Sequence, residues 1–262
     1  MSQIRFILTR PVAAALFIFV IASLVGGAPR SFARSVDHRE ENSMEEWVEG
    51  NFEGLPYRVL FPKNYQPALK YPLVLFLHGS AESGNDNRSQ ISNGVELFAK
   101  RSYRNKFPAI VIAPQSPTDD SWGGLFYGGQ TETQKKVIAL IDQISRLYPV
   151  DSSRRYLTGV SMGAIGAWDM VWRYPNTFAA LLPIAGAADP SSAQALTQLP
   201  IWAFHGSDDD AVDPHEVREI FSFMKNNRGR MLYTEYPGIG HDSWSQTYRD
   251  PSVIDWLFQQ TL

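Results

Sequence analysis

Tyr156-Leu157-Thr158-Gly159-Val160-Ser161-Met162-Gly163-Ala164-Ile165-Gly166-Ala167 joins a short apolar run to a serine between two glycines and then to a small-residue helical start. Tyr156 to Val160 reads as a strand, and Met162 to Trp172 carries an apolar face at helical spacing. A serine forced into so sharp a strand-to-helix turn adopts a strained backbone angle. It therefore needs neighbours without bulk two residues to either side, here Gly159 and Gly163. The helix that starts there brings the positive end of its dipole and free backbone N–H groups near the hydroxyl. Ser161 in this G-x-S-x-G context reads as an exposed nucleophile, the structural alternative being a serine in a glycine-flanked turn.

Outward from this turn the chain alternates two kinds of segment. Apolar runs bounded by Gly, Pro or Asn read as strands at Tyr57 to Phe61, Leu73 to Leu77, Ala109 to Ala113, Ala179 to Ile184, Ile201 to Phe204 and Met231 to Tyr236. Helical patterns lie between most of them: Thr133 to Leu147, Pro214 to Met224 and Val253 to Phe258. Continuous apolar strands separated by helices predict an α/β domain, a mainly parallel sheet with helices on both faces. Reactive loops then gather at the carboxyl ends of the strands. The interval from Ile184 to Ile201 is too short for a lid domain, which predicts an open or shallow cleft.

A serine nucleophile needs a base, and the base needs an orienting acid. Of five histidines, His38 lies in the polar leader, His78 and His205 each precede a glycine at a strand end and suit packing or capping, and His215 opens a helix behind Pro214. His241 sits in the glycine-rich loop Gly238-Ile239-Gly240-His241-Asp242-Ser243-Trp244, after the last strand and before the last helix, where the base is expected. The loop after Ile201 to Phe204 carries Asp208, Asp209, Asp210 and Asp213, and spacing alone does not choose among them. Asp189, one strand earlier, is a further candidate acid. After the strand Leu73 to Leu77, the loop Leu77-His78-Gly79-Ser80-Ala81-Glu82 can present the Ser80 N–H beside that of Met162 as an oxyanion hole. Trp122, on the glycine- and aromatic-rich loop Pro114 to Gln130, and Trp244 beside His241 are candidate substrate contacts, each with core packing as the alternative.

The chain has 262 residues, 44% hydrophobic, a formal charge of −3 and no cysteine. Without cysteine there is no thiol nucleophile, disulfide, cysteine-held iron–sulfur cluster or cysteine zinc site. No block of Lys/Arg offers the basic stripe a nucleic-acid binder needs. A metal-dependent hydrolase finds support only in the Asp208 to Asp213 cluster, which lacks matching histidines. No metal and no cofactor is expected.

Residues 1–33 carry Arg5, Arg10 and Arg30, no acid, and an apolar stretch from Val12 to Val25, the layout of a secretory signal with cleavage after Ala33. The apolar stretch is short for a membrane span, which needs about 20 residues. An uncleaved anchor is the alternative. Losing the segment removes three arginines and no acid, so the formal charge moves from −3 to −6. Residues 34–46 read as a mobile polar leader and 47–262 as one catalytic domain. The product is expected to be secreted or periplasmic, with no stable membrane association once the signal is removed.

Gly159-Val160-Ser161-Met162-Gly163 with Trp168, Asp151-Ser152-Ser153-Arg154-Arg155-Tyr156, Pro200-Ile201-Trp202-Ala203-Phe204-His205-Gly206 and Gly240-His241-Asp242-Ser243-Trp244 together resemble the secreted α/β-hydrolase esterases. More narrowly, the chain is similar to the predicted peptidase or phospholipase/carboxylesterase-like group, near feruloyl and acetyl-xylan esterases and polyhydroxybutyrate depolymerases, over about residues 57 to 260. The resemblance implies an α/β-hydrolase fold and, through the family pattern H-G-x-x-D-x-x-V, selects Asp209 as the acid. Ala81 stands where the family's early loop has its second glycine. The function implied is ester hydrolysis through an acyl-enzyme, on small-molecule or polymer-linked esters. A peptidase on the same triad and an exported binding protein on an inactive scaffold are the rivals.

Overall fold

Leu73, Leu75 and Leu77 face one apolar layer while Val74 and Phe76 face the other, so the strand they share is buried on both sides. This is the pattern of a central strand in a covered sheet, where both side-chain rows meet helices instead of water. The computed structural model describes residues 46–262; the expected signal segment 1–33 and all but the last residue of the expected leader 34–46 lie outside the described residues.

The described strands are β1 (Trp47–Phe52), β2 (Leu55–Leu60), β3 (Tyr71–Leu77), β4 (Ile110–Pro114), β5 (Val150–Val160), β6 (Ala180–Ile184), β7 (Ile201–Gly206) and β8 (Met231–Tyr236). They form one sheet in the order β1-β2-β4-β3-β5-β6-β7-β8. β3 through β8 pair in parallel, and β2 alone runs against its neighbours.

The helices are α1 (Arg101–Lys106), α2 (Glu132–Leu147), α3 (Met162–Arg173), α4 (His215–Asn226), α5 (Trp244–Thr247) and α6 (Pro251–Phe258). On one face, Val137, Leu140, Ile141 and Ile144 of α2, Met170 of α3 and Ile220 and Met224 of α4 pack on Leu75, Leu157 and Ile201. On the other, Phe107, Tyr248 and Ile254 close over Phe76, Tyr156 and Ile184. The Thr131 hydroxyl caps α2 by accepting the Gln134 N–H, and the Asp250 carboxylate caps α6 through Ser252.

The short helices α1 and α5 were not among the predicted elements, and two strands depart from the sequence pattern. β1 is an edge strand with only Trp47 fully buried, and Glu53 and Gly54, both at positive φ, turn it into β2. β5 begins six residues before the predicted start, because its first half is polar. Asp151 there folds back on Arg154 and supplies no apolar period. Between β6 and β7 the chain makes only a short 3₁₀ helix, Pro190–Leu196, so no lid is inserted.

Candidate active site

Ser161 stands between the end of β5 and the first residue of α3 with φ 53° and ψ −121°. That conformation is costly for a residue with a side chain, and the surrounding packing enforces it. A Cβ on Gly163 would lie 2.0 Å from the Leu77 carbonyl oxygen, so only glycine lets α3 start this close to the end of β3. The Ser161 N–H is held by the Ile184 carbonyl at 3.0 Å, fixing the turn to β6.

Ser161 Oγ lies 2.8 Å from His241 Nε2, and His241 Nδ1 lies 2.8 Å from Asp209 Oδ2. A carboxylate only accepts, so Nδ1 carries the proton and Nε2 is left to accept from the serine hydroxyl. Asp209 Oδ1 accepts the N–H groups of Ala211 at 3.0 Å and Val212 at 2.9 Å. Burial works to raise the Asp209 pKa, but the hydrogen bonds from His241, Val212 and Ala211 outweigh it and hold the carboxyl below the ordinary carboxylate range. Its side chain is fully enclosed, whereas Asp208, Asp210 and Asp213 are exposed. Asp213 accepts the His215 N–H at the start of α4, and Asp189 accepts that of Ser191 at the head of the 3₁₀ helix. The crowded loop therefore divides into one acid aimed at His241 and three that face solvent.

The loops that carry acid and base are strapped together. The Ser207 N–H donates to the Tyr236 carbonyl at 3.0 Å, the Asp208 N–H to Ile239 at 2.9 Å, and the Gly238 N–H to the Ser207 hydroxyl at 2.8 Å. Trp244, the first residue of α5, stands edge-on to His241 with ring centroids 5.2 Å apart, half-buried beside the imidazole.

On the opposite side of Ser161, Gly79 comes so close that an added Cβ would sit 3.5 Å from the serine Cβ. The Gly79 backbone thus lies beside the nucleophile, and Ser80, the next residue, heads a 3₁₀ turn ending at Glu82. Met162, as the first residue of α3, has an N–H with no acceptor inside the helix. Ala81 does not adopt positive φ, so alanine replaces the family's glycine there without backbone strain.

Trp122 is not a substrate contact. Its side chain is wholly buried, and the indole N–H donates to the His78 carbonyl at 2.9 Å. Its work is to pin the loop after β4 onto the loop after β3, with the His78 ring edge-on at 4.9 Å. Desolvation lowers the His78 pKa to about 4, so the ring is neutral and bonds the Gly79 carbonyl and the Ser116 N–H. The aromatics that do reach solvent on the post-β4 loop are Phe126 and Tyr127, with Leu125, at the tip between Gly124 and Gly128. Of this tip, Gly124, Leu125 and Gly128 line a cleft of about 250 Å³ that runs along α3 past Ile165, Asp169 and Trp172. Ile165 is one helical turn from Ser161, so the cleft leads away from the nucleophile.

His205 also touches the site, although its sequence context suggested only packing or capping. It is fully buried, and its Nε2 lies 3.1 Å from Asp209 Oδ2 and 2.9 Å from the Val212 carbonyl. Its place four residues before Asp209 was the available signal. Among the described residues no cluster of three His, Cys, Asp or Glu side chains could hold a metal ion.

The family model described as "Putative esterase" matches residues 54–256. Among curated proteins, the chain is 29% identical over 175 residues to the bifunctional acetylxylan esterase/xylanase XynS20E of Neocallimastix patriciarum, covering 67% of this chain and 24% of that protein. Among solved structures, a thermostable esterase superposes with a TM-score of 0.80 at 35% identity, over 83% of this chain and 64% of that one. A ferulic acid esterase of Anaeromyces mucronatus shares the fold, with a TM-score of 0.61 at 16% identity over 82% of this chain and 89% of that one. The chain thus spans about a quarter of the first relative's length and just under two thirds of the thermostable esterase. On the family match, which covers most of its length, the chain belongs to the Esterase family of α/β-hydrolase proteins.

Proposed function

We propose that this chain hydrolyses carboxylic esters through an acyl-enzyme intermediate, with Ser161 as nucleophile, His241 as base and Asp209 as orienting acid. The unbroken row of hydrogen bonds from Ser161 Oγ through His241 to Asp209 carries this reading. As Ser161 Oγ bonds to the ester carbonyl carbon, His241 Nε2 takes the hydroxyl proton, and the buried Asp209 carboxylate stabilises the imidazolium that forms. The carbonyl oxygen becomes an oxyanion facing the Met162 and Ser80 N–H groups. His241 returns the proton to the departing alcohol, and a water then repeats the sequence in reverse to release the acid.

The substrate class proposed is an acyl group carried on a bulky or polysaccharide alcohol. Two observations support it: among the described residues no lid covers the serine, and the cleft along α3 is lined by the exposed Trp172, with Phe126 and Tyr127 exposed on the loop whose Leu125 also lines it, rings that suit stacking against sugar or aromatic groups. The relative named as an acetylxylan esterase points the same way. Residues 1–33 are proposed as a cleaved secretory signal that sends the enzyme out of the cytoplasm.

The experiment is hydrolysis of a nitrophenyl ester series of increasing acyl length by wild type beside Ser161→Ala. Loss of turnover in the variant is expected, and equal rates would end the assignment. Acetylated xylan, methyl ferulate and a chromogenic peptide, run in parallel, separate polysaccharide esterase, aromatic esterase and peptidase. N-terminal sequencing of the exported product, expected to begin at Arg34, tests the signal.

A further inference from the structure

We infer that His205 is a positioning residue for Asp209: its neutral imidazole donates a second hydrogen bond to the oxygen that orients His241, and so fixes the carboxylate and shares its charge.

His205 is the penultimate residue of β7 and is completely enclosed. Nε2 faces two acceptors, Asp209 Oδ2 at 3.1 Å and the Val212 carbonyl at 2.9 Å, and neither can donate to it. The proton therefore resides on Nε2. Nδ1 is buried without a hydrogen-bond partner, so protonating it would place an N–H where nothing accepts. The ring is held neutral in the Nε2–H tautomer. Burial also lowers its pKa, in the same direction.

Oδ2 of Asp209 is then shared between His241 Nδ1–H and His205 Nε2–H, while Oδ1 takes the Ala211 and Val212 amides. Four donors lock the carboxylate plane. The bifurcated bond to the Val212 carbonyl ties the same imidazole to the chain segment whose amides hold Oδ1. Removing the His205 N–H leaves two effects: the carboxylate gains freedom to turn, and negative charge concentrates on Oδ2 where it faces His241. The first slows the proton relay, and the second stabilises the imidazolium of the base. The other titratable group near His205 is Glu235, its register partner on β8. Arg218 holds that carboxylate through both oxygens, at 2.8 Å each, and the Tyr233 hydroxyl donates to it at 2.6 Å.

This rests on the esterase assignment above, and the controls separate the two. With a nitrophenyl ester as probe, turnover by wild type and its absence in Ser161→Ala establish the assignment first. His205→Leu, which fills the space without a donor, is then expected to lower kcat on the order of tenfold with little change in KM, and to move the acidic limb of the kcat/KM profile to higher pH. His205→Gln, which returns an N–H near the Nε2 position, recovers most of the loss and restores the limb. A Gln variant no better than Leu, or an unmoved limb in Leu, overturns the inference. Where His205→Leu fails to fold, long-range ¹H–¹⁵N correlation on the wild type decides. A neutral Nε2–H ring from pH 5 to 8 supports the assignment, and an Nδ1–H or charged ring overturns it.

Discussion

A Cβ on Gly206 would fall 2.2 Å from the carbonyl oxygen of Ile239 and nearly as close to that of Gly240. The glycine that ends β7 is therefore what lets the loop carrying His241 lie against the loop carrying Asp209. Gly206→Ala must push the base loop away from the acid, because backbone atoms, not a pliable side-chain tip, occupy the space. The expected outcome is a kcat/KM reduced at least a hundredfold together with a stability loss of about 1–3 kcal/mol. Steady-state kinetics beside urea denaturation check both, and near-wild-type turnover would contradict the packing account.

Ser161 is held at positive φ although it has a side chain. Replacing it with glycine removes the steric cost of that conformation, while glycine's larger unfolded-state entropy offsets part of the gain. Ser161→Gly is expected to lose ester hydrolysis and yet to be more stable than wild type by roughly 1 kcal/mol. A thermal melt settles the sign, and a lowered Tm would mean that the turn is not strained.

His78 is neutral in the fold, with its pKa pushed down from 6.5 to about 4 by burial. As pH falls below 6.5 the unfolded chain takes the proton first, so stability declines between pH 6.5 and 4 and then levels. The total from this residue is about 3 kcal/mol. Asp209 has the carboxylate sign: its contribution is present above the ordinary carboxylate pKa and is lost as pH falls through its lower folded value. Melts of wild type and His78→Asn across this range test the first part. The variant should start less stable at pH 7 and lose less on acidification.

Phe126 is the most exposed aromatic at the tip of the post-β4 loop, and Trp122 on the same loop is wholly enclosed. Phe126→Ser is expected to leave hydrolysis of nitrophenyl acetate within about twofold while raising KM severalfold for a ring-bearing or polymeric ester. Trp122→Phe should do the reverse, costing about 1–3 kcal/mol of stability through the orphaned His78 carbonyl with little selectivity change. Kinetics on paired small and bulky substrates, together with melts, distinguish the two tryptophan and phenylalanine roles.

The parallel core was legible because β3, β4, β6 and β7 are apolar runs without interruption, and α2 and α3 repeat at helical spacing. β1 was hidden because one edge strand with a single buried residue has no period to read. Ser161 and His241 followed from residue type and chain order. Asp209 needed the family pattern, since what separates it from Asp208 and Asp210 is enclosure, which only folding creates. Trp122 was misplaced for the same reason: an aromatic among glycines on a strand-end loop can cap the core or face the cleft, and its bond to the His78 carbonyl decides the matter. His205 was passed over because a histidine before a glycine at a strand end has an ordinary capping explanation.

Ser161, Asp209 and His241 follow β5, β7 and β8, strands brought together by successive parallel pairings with β6 between. Parallel neighbours cannot zip from a hairpin and must each close a long connection, which makes them slow partners to assemble. The nucleophile can meet its base only when the last of these strands has docked. In a refolding experiment, recovery of ester turnover should therefore lag behind helix formation and mark the final edge of the sheet closing.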